Sequence, residues 1–399
     1  MKIPTVGIPA YPKEIESFWW HKSTERWPDA SEQKVLNLLR TEIVKQSDLF
    51  NKQRSFSPSS YGSRDTSILA YGNFFFPRTW RQLEFVLTEI LEFREWRFPR
   101  QGVLRILDLG SGSGAAGLSA LHLLRKKDIE IPLELKAVDY SGKSLSLMRN
   151  LHRDMRDLWT STKLSTERRD LRSSPSAKNK ENYDLIILSS SFNEISSNLE
   201  LEDAAERILK IVERLKPSGF LIIIEPALRE LGNCLHQATA LAAEKGKIQI
   251  HGPYFNGLPC PLPSMDSPYH SHEVRDGLPT ETCRKLNSPL GLNLKDLKFS
   301  FTALSGKEPS KFEESASVLR IVSPVSKRKG LHFFIGIAAN GKEYTYEIQS
   351  RDMLKEERKS MELLQRGDVL EIERSQGIGG KQRIRIPNVS AIRTLFAPR

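Results

Sequence analysis

Cysteine is scarce in this chain of 399 residues: Cys234, Cys260 and Cys283 are all it has. Three thiols, all in the second half, cannot build a disulfide framework, so a reducing compartment is expected. Long apolar runs are missing as well. GFLIIIEPAL falls far short of the roughly 20 residues a membrane span needs and reads as one buried strand. The start, MKIPTVGIPAYPKEIESFWW, has no apolar signal-peptide core and carries the acids that a transit peptide avoids, which points to a cytoplasmic protein. Acid is short relative to base: 60 Lys+Arg stand against 49 Asp+Glu, a formal charge of +11. That excess favours polyanionic partners.

What is present is globular in texture. With 39% hydrophobic residues, the chain can bury a large core and form two or three structural units. Residues 1–100 read as a helical region. SEQKVLNLLRTEIVKQSDLF starts on Ser31 as N-cap and aligns Val35, Leu38, Leu39 and Ile43. A Ser/Pro-rich loop, SFSPSSYGSRDTS, follows. Then FPRTWRQLEFVLTEILEF places Pro77 at a helix start and Trp80, Leu83, Val86, Leu87 and Ile90 on one side. These helices should cap the next unit.

From residue 101 to 305 short apolar runs alternate with amphipathic ones, the pattern of βαβ units. VLRILDLG, LELKAVDYS, a weak run before ERRDL, YDLIILSSS, GFLIIIEPAL, KIQIHG and KFSFTALS make seven expected strands. The expected fold is α/β: a Rossmann-like, mostly parallel seven-stranded sheet, doubly wound, ending in a hairpin strand. A Pro-rich insertion spans 251–290. From 318 to 399 the chain becomes a small, basic, β-rich module, with Asn340-Gly341 expected as a type I′ turn, a charged helix in RDMLKEERKSMELLQRG and a strand in DVLEIE.

The chemistry is concentrated in ILDLGSGSGAAGL. Gly110, Gly112 and Gly114 let the backbone turn sharply and approach a ligand, while the following helix points its free N–H groups at it. The loop alone is weak evidence, because Gly112, Gly114 and Gly117 also satisfy the dinucleotide pattern G-x-G-x-x-G. Context favours S-adenosylmethionine. Asp108 sits within the first strand, Asp139 ends the second, where a carboxylate binds ribose hydroxyls, and Asp170 follows the third, within reach of an adenine amino group. Three acids at successive strand ends suit a ligand with a ribose and no phosphate. The alternative is that the glycines only permit helix–sheet packing and Asp139 caps a helix.

The fourth strand ends in LSSSFNEI and lacks the D/N-P-P-Y/F motif with which exocyclic-amine methyltransferases hold a target nitrogen. Asn193 and Glu194 are the candidate catalytic residues there, with Glu225 and Pro226 as neighbours. Glu194 has an equal alternative role, anchoring the following helix. Methyl transfer needs little acid–base help, since alignment supplies most of the rate.

FFFPRTWRQLEFVLTEI before ILDLGSGSGAA, then YDLIILSSSFNEI, FLIIIEPAL, GPYFNGLPCPLP, YHSHEV, KFSFTALS and RIVSPVSKRKGLHFFIGIAANGKEYTYEIQSRDMLKEERKSMELLQRGD, occur in that order. In these pieces the chain resembles the small-subunit ribosomal protein twenty-two family of mitochondria and its bacterial relatives, over roughly residues 60 to 373. The resemblance implies a class I methyltransferase domain with a C-terminal β module, acting in modification or assembly of the small ribosomal subunit and its rRNA. It also implies an iron–sulfur cluster held by cysteines of a C-P-x-D-x-x-C-P-L-like loop, a W-C-H segment and a further downstream position. Here Cys260 stands at C-P-L, the earlier cysteine falls near Tyr254, the W-C-H segment reads Tyr269-His270-Ser271, and no cysteine follows Cys283. Loss of the cluster is therefore expected.

Cys260, His270, His272 and Cys283 form a conceivable zinc set, with Cys260 and His270 as its leading members. The spacings are not those of closed structural sites, and a packed, proline-stiffened loop is the alternative. Lys327, Arg328, Lys329 and then Lys381, Arg383 and Arg385 are candidate RNA contacts, the last group on one face of a strand, and no acid follows Glu373. Three functions stay open: a methyltransferase acting on rRNA, a non-catalytic ribosome assembly factor that keeps the fold, and a small-molecule methyltransferase.

Overall fold

The computed structural model describes residues 1–48, 62, 64–172, 181–277, 280–292, 294–373, 376–378 and 382–399. Most of the Ser/Pro-rich loop and Lys381 lie outside them.

The first sheet runs in the order β3 (Thr162–Arg168), β2 (Leu133–Asp139), β1 (Leu104–Leu109), β4 (Tyr183–Ser189), β5 (Leu215–Pro226), β8 (Asp296–Ser305) and β6 (Gln249–Gly252). β1 to β5 pair in parallel, whereas β8 runs antiparallel to β5 and β6. The expected seven-stranded, mostly parallel sheet is thus a mixed sheet of eight strands. The additional strand is β7 (Glu273–Asp276), which also pairs with β8. The Pro-rich segment explains it: the edge strand leaves the sheet after Gly252, makes a long loop and returns at Glu273 further along β8. Four residues with three charges have no period to betray them.

Both sheet faces are covered, which is why β4 reads as a continuous apolar run. One face packs Ile106, Leu185, Ile187 and Ile222 against α4 (Phe76–Thr88) and α5 (Ala115–Lys126). The other packs Leu107, Ile186, Leu188 and Ile223 against α8 (Leu201–Val212) and α9 (Arg229–Lys245). The N-terminal helices share the first core. α1 (Lys13–Arg26) sends Ile15 and Trp19 into it. The side chain of Ser31 caps α2 (Glu32–Asp48), accepting the Lys34 N–H at 3.4 Å. Val35, Leu36, Leu39 and Ile43 of α2 pack on Cys283 and Leu286 of α10 (Glu281–Asn287), while Leu38 is only half-buried.

Pro77 stands in the first turn of α4, as expected, but α4 does not start from a loop. A single helical run extends from α3 (Asp65–Ala70) through a π-helical turn at Tyr71–Phe75 into α4, and ends in a second π turn at Glu89–Phe93. The wider turn precedes the proline, whose missing N–H would interrupt a regular helix.

The second sheet orders β14 (Gln376–Gly377), β15 (Arg383–Arg385), β12 (Glu343–Gln349), β11 (Leu331–Ala338), β9 (Val318–Ile321), β13 (Val369–Ile372) and β16 (Ile392–Phe396), with β10 (Ser326–Arg328) on β11. Its inner face and α11 (Lys355–Glu362) enclose Leu319, Phe334, Tyr346, Met361 and Ile372. The β11–β12 turn is not type I′, which needs two residues with positive φ. Gly341 has φ +75° and Asn340 does not; Ala339 and Asn340 are the central pair, and Gly341 N–H donates to Ala338 O at 2.9 Å. Ala339 is fully buried and its N–H donates to Val318 O, which holds the turn one residue earlier than the sequence suggests.

Candidate functional site

A cleft of about 460 Å³ opens at the carboxyl ends of β1 to β5, where the chain crosses from β3 back to β4. In a doubly wound sheet this crossover leaves a crevice that the helices cannot fill. Gly110, Gly112, Asp139, Asp170, Asn193, Glu194 and Pro226 all line it.

The three loop glycines have separate tasks. Gly110 (φ +75°) passes so close to β4 that a Cβ would lie 2.4 Å from Ser191 Cβ. Gly114 (φ +93°) leads into α5 and leaves its space to Met148. Gly112 (φ +53°) would place a Cβ against nothing within 4 Å, so it faces the open cleft.

Asp139 lies on the floor. Its Oδ2 accepts the Gly112 N–H at 2.9 Å and its Oδ1 the Ser141 N–H at 2.7 Å. Burial pushes its carboxyl up, and these two N–H groups pull the other way. The carboxylate therefore fixes the glycine loop while keeping lone pairs for a ligand's hydroxyls. Asp170 is differently placed: exposed, it accepts from Arg172 Nη2 at 2.6 Å and is held below its usual range by that guanidinium.

Asp108 does not line the cleft. It is buried beneath the loop, and its Oδ2 accepts the Gly117 N–H at 2.9 Å, tying β1 to α5. Burial pushes its carboxyl up to about 7. It positions the loop instead of touching a ligand.

Glu225 supplies the helix anchor considered for Glu194. It accepts the N–H groups of Phe192 (3.0 Å) and Asn193 (3.2 Å) at the start of α7 (Phe192–Ser196), and the Asn193 amide also donates to it. Burial pushes Glu225 up to about 7 against those bonds. Asn193 and Glu194 stand together on the cleft wall.

Sequence reasoning missed the opposite wall. Ile68, Tyr71, Phe75, Arg78, Thr79 and Gln82 reach the cleft from the long helical run, and Lys298 from the start of β8. These helical positions recur at the spacing of one face, opposite Trp80, Leu83 and Leu87, and that second stripe was the available signal.

The metal candidates do not converge: among the described residues no three His, Cys, Asp or Glu side chains form a group that could hold a metal ion. Cys283 Sγ donates to Asn73 O at 3.3 Å in the α2–α10 core. Burial pushes the Cys260 thiol up to about 12, away from the thiolate a metal requires. His270 Nε2 lies 3.2 Å from Ala227 O. The single Cys260 sulfur does not fit an iron–sulfur cluster, which takes about four ligands.

On the second sheet, Arg383 and Arg385 share a face as the alternation predicted, but both pair with Glu347. Lys327 pairs with Glu362, the Arg328 guanidinium lies 4.5 Å above the Phe333 ring, and Lys329 is exposed. Among the described residues no helix is long and apolar enough to cross a membrane.

The strand order, the reversed β8 inserted beside β5 and the cleft above Gly112 together make a doubly wound α/β domain with a mixed sheet and an open crevice at the carboxyl ends of its parallel strands. No family model and no curated protein matches the chain. Among solved structures it is similar to an S-adenosylmethionine-dependent methyltransferase from Clostridium acetobutylicum (20% identity, 38% of this chain and 50% of that one, TM-score 0.27), of which it spans half the length. A putative S-adenosyl-L-methionine-dependent methyltransferase from Methanococcus maripaludis shares 17% identity over 48% of this chain and 74% of that one, TM-score 0.30. The CMeT domain of the citrinin polyketide synthase shares 15% over 75% and 81%, TM-score 0.35. Likenesses this distant carry no argument, and the fold assignment rests on the topology.

Proposed function

We propose that the chain is an S-adenosylmethionine-dependent methyltransferase-like protein that acts on the small ribosomal subunit in the cytoplasm, with rRNA as methyl acceptor. The observation that carries the cofactor half is Gly112, left-handed and open to the cleft, bound through its N–H to Asp139. A ribose over Asp139 and an adenine edge near Asp170 fit these residues, and the sulfonium of the bound cofactor supplies the methyl group. Asn193 and Glu194 then border the space where an acceptor is aligned. The excess of +11 and the resemblance in the C-terminal module support the ribosomal half, with Arg328 and Lys329 as the cations of the candidate set that are not paired with an acid among the described residues. A non-catalytic assembly role has one observation in its favour, the Asn193 amide committed to Glu225.

Calorimetry with S-adenosylmethionine tests the first half: binding is expected for the parent and a loss of at least about tenfold for Asp139→Ala. No binding by the parent sinks the enzyme reading. Transfer of tritiated methyl to isolated small-subunit rRNA, lost in Asn193→Ala, tests the second; binding of RNA without any transfer favours the assembly role.

A further inference from the structure

Both signs of charge line the cleft. Its cofactor end carries Asp139 and Asp170 together with Arg169 and Arg172, Arg172 pairing with Asp170, Glu194 stands on its wall, and the end between α4 and β8 carries Arg78 and Lys298. Arg78 Nη2 donates to the main-chain oxygen of Asp296 at 3.2 Å, two residues before Lys298, which brings both cations to the start of the same strand. Neither makes an ion pair within 4.0 Å among the described residues; Arg78 is half-buried and Lys298 exposed. The Arg78 guanidinium is pulled below its ordinary value by desolvation, with Cys283 and then Asp296 acting in the other direction. Thr79 and Gln82 add hydrogen-bonding groups at the same end, and Phe75 and Leu231 supply an apolar wall. An apolar surface beside two cations is the chemistry that receives a ring bearing an oxyanion.

We propose that Arg78 and Lys298 form an oxyanion subsite that binds a phosphate or carboxylate of the methyl acceptor. This rests on the methyltransferase reading, and it narrows the acceptor from any nucleophile to an anionic one. For an rRNA acceptor the oxyanion is the phosphate beside the reacting nucleotide. Arg78 supplies a planar fork and Lys298 a mobile point charge, so the subsite tolerates small shifts of the anion while the ring sets the register.

The test uses the full chain saturated with S-adenosylhomocysteine, so that the cofactor end is filled, and titrates it with cytidine 5′-monophosphate, cytidine, benzoate and benzamide. Cytidine 5′-monophosphate is expected to bind at least about tenfold more tightly than cytidine. Lys298→Gln should weaken it several-fold and Arg78→Gln more, with Arg78→Lys recovering part of the loss, while S-adenosylhomocysteine binds every variant as it binds the parent. Lys298 is exposed, so its variant folds normally even where Arg78→Gln does not. Benzoate binding in the same Arg78-dependent way, with cytidine 5′-monophosphate excluded, supports the subsite and identifies its anion as a carboxylate. Equal binding of the anionic and neutral members of both pairs, or cytidine 5′-monophosphate binding unchanged in Lys298→Gln and Arg78→Gln, overturns it. Failure of S-adenosylhomocysteine to bind at all is a separate result, which removes the cofactor reading; the titrations are then repeated on the unliganded chain.

Discussion

At the scale of single residues, Gly110 and Gly112 separate folding from function within one turn. Both are left-handed, so a Cβ at either costs about 1 kcal/mol in backbone strain. Only at Gly110 does it also collide with Ser191. Gly110→Ala should therefore lower stability by about 2 kcal/mol or more in chemical denaturation, whereas Gly112→Ala should lower it by about 1 kcal/mol. The order reverses for ligand: Gly112→Ala puts a methyl into the open cleft and should cost most of the affinity for S-adenosylmethionine. Unchanged affinity in Gly112→Ala places the ligand elsewhere. The sequence marked both glycines, since a strand followed by G-x-G-x-G needs them. It could not rank them, because Ser191 is remote in the chain and meets Gly110 only through the β1–β4 pairing.

Among the elements, α7 is the one that cannot stand alone. Five residues form barely one turn, and nucleating a turn is unfavourable without outside support. Glu225 supplies it from the end of β5 by accepting two N–H groups. Its carboxyl is raised to about 7, above its unfolded value, so the sign of the linkage is fixed. The folded state binds the extra proton; that contribution is fully present below about pH 4.5 and is lost as the pH rises through 7. Asp108, raised to about 7, acts in the same direction. Stability should thus decline between pH 5 and 8, by about 3 kcal/mol at most for each group, and Glu225→Gln should flatten the decline in urea titrations at fixed pH values. An identical decline in Glu225→Gln would show that Glu225 is already ionised at pH 5. The seven strands quoted from sequence all form, because buried runs such as YDLIILSS announce themselves. The β7 strand, the helical run ahead of Pro77 and the Asn340 turn were illegible for a common reason. Each is decided by a partner distant in sequence: β8 for the first, Trp19 against Gly72 and Phe76 for the second, Val318 for the third.

At the scale of the whole molecule, the Pro-rich loop and a buried ionic cluster join the two sheets. Tyr254 and Leu262 of the loop pack on Val322 and Ile337 of the second sheet. The loop's carbonyls are met by guanidiniums: Arg94 donates to Pro253 O at 2.8 Å and Tyr254 O at 3.0 Å, and Arg366 donates to His272 O at 2.8 Å. Arg320 of the second sheet is buried and reaches Glu89, at the π turn that ends the long helical run, at 2.8 Å and Glu273 of the first sheet at 2.9 Å. Arg275 of the first sheet returns the contact to Asp368, which Arg399 also holds at 2.7 Å. Gly367 is required beside it, since a Cβ there would overlap Glu273. Burial alone would raise the Glu89 carboxyl; Arg320 and Arg94 more than offset it and hold it down to about 2. Arg320→Met leaves Glu89 and Glu273 short of a counter-charge and should cost about 3–5 kcal/mol at pH 7. The pH dependence carries the sharper signature. In the parent, the Glu89 contribution is present above its unfolded pKa near 4.3 and is lost only as the pH falls through about 2. Without Arg320, Glu89 should protonate at higher pH, so acid unfolding should begin at a higher pH in Arg320→Met than in the parent when both are followed by tryptophan fluorescence. Superimposable acid transitions would mean that Arg320 does not set the charge state of Glu89, and that the junction between the sheets rests on its other contacts, the Arg275–Asp368 pair and the packing of Tyr254, Leu262 and Ile337.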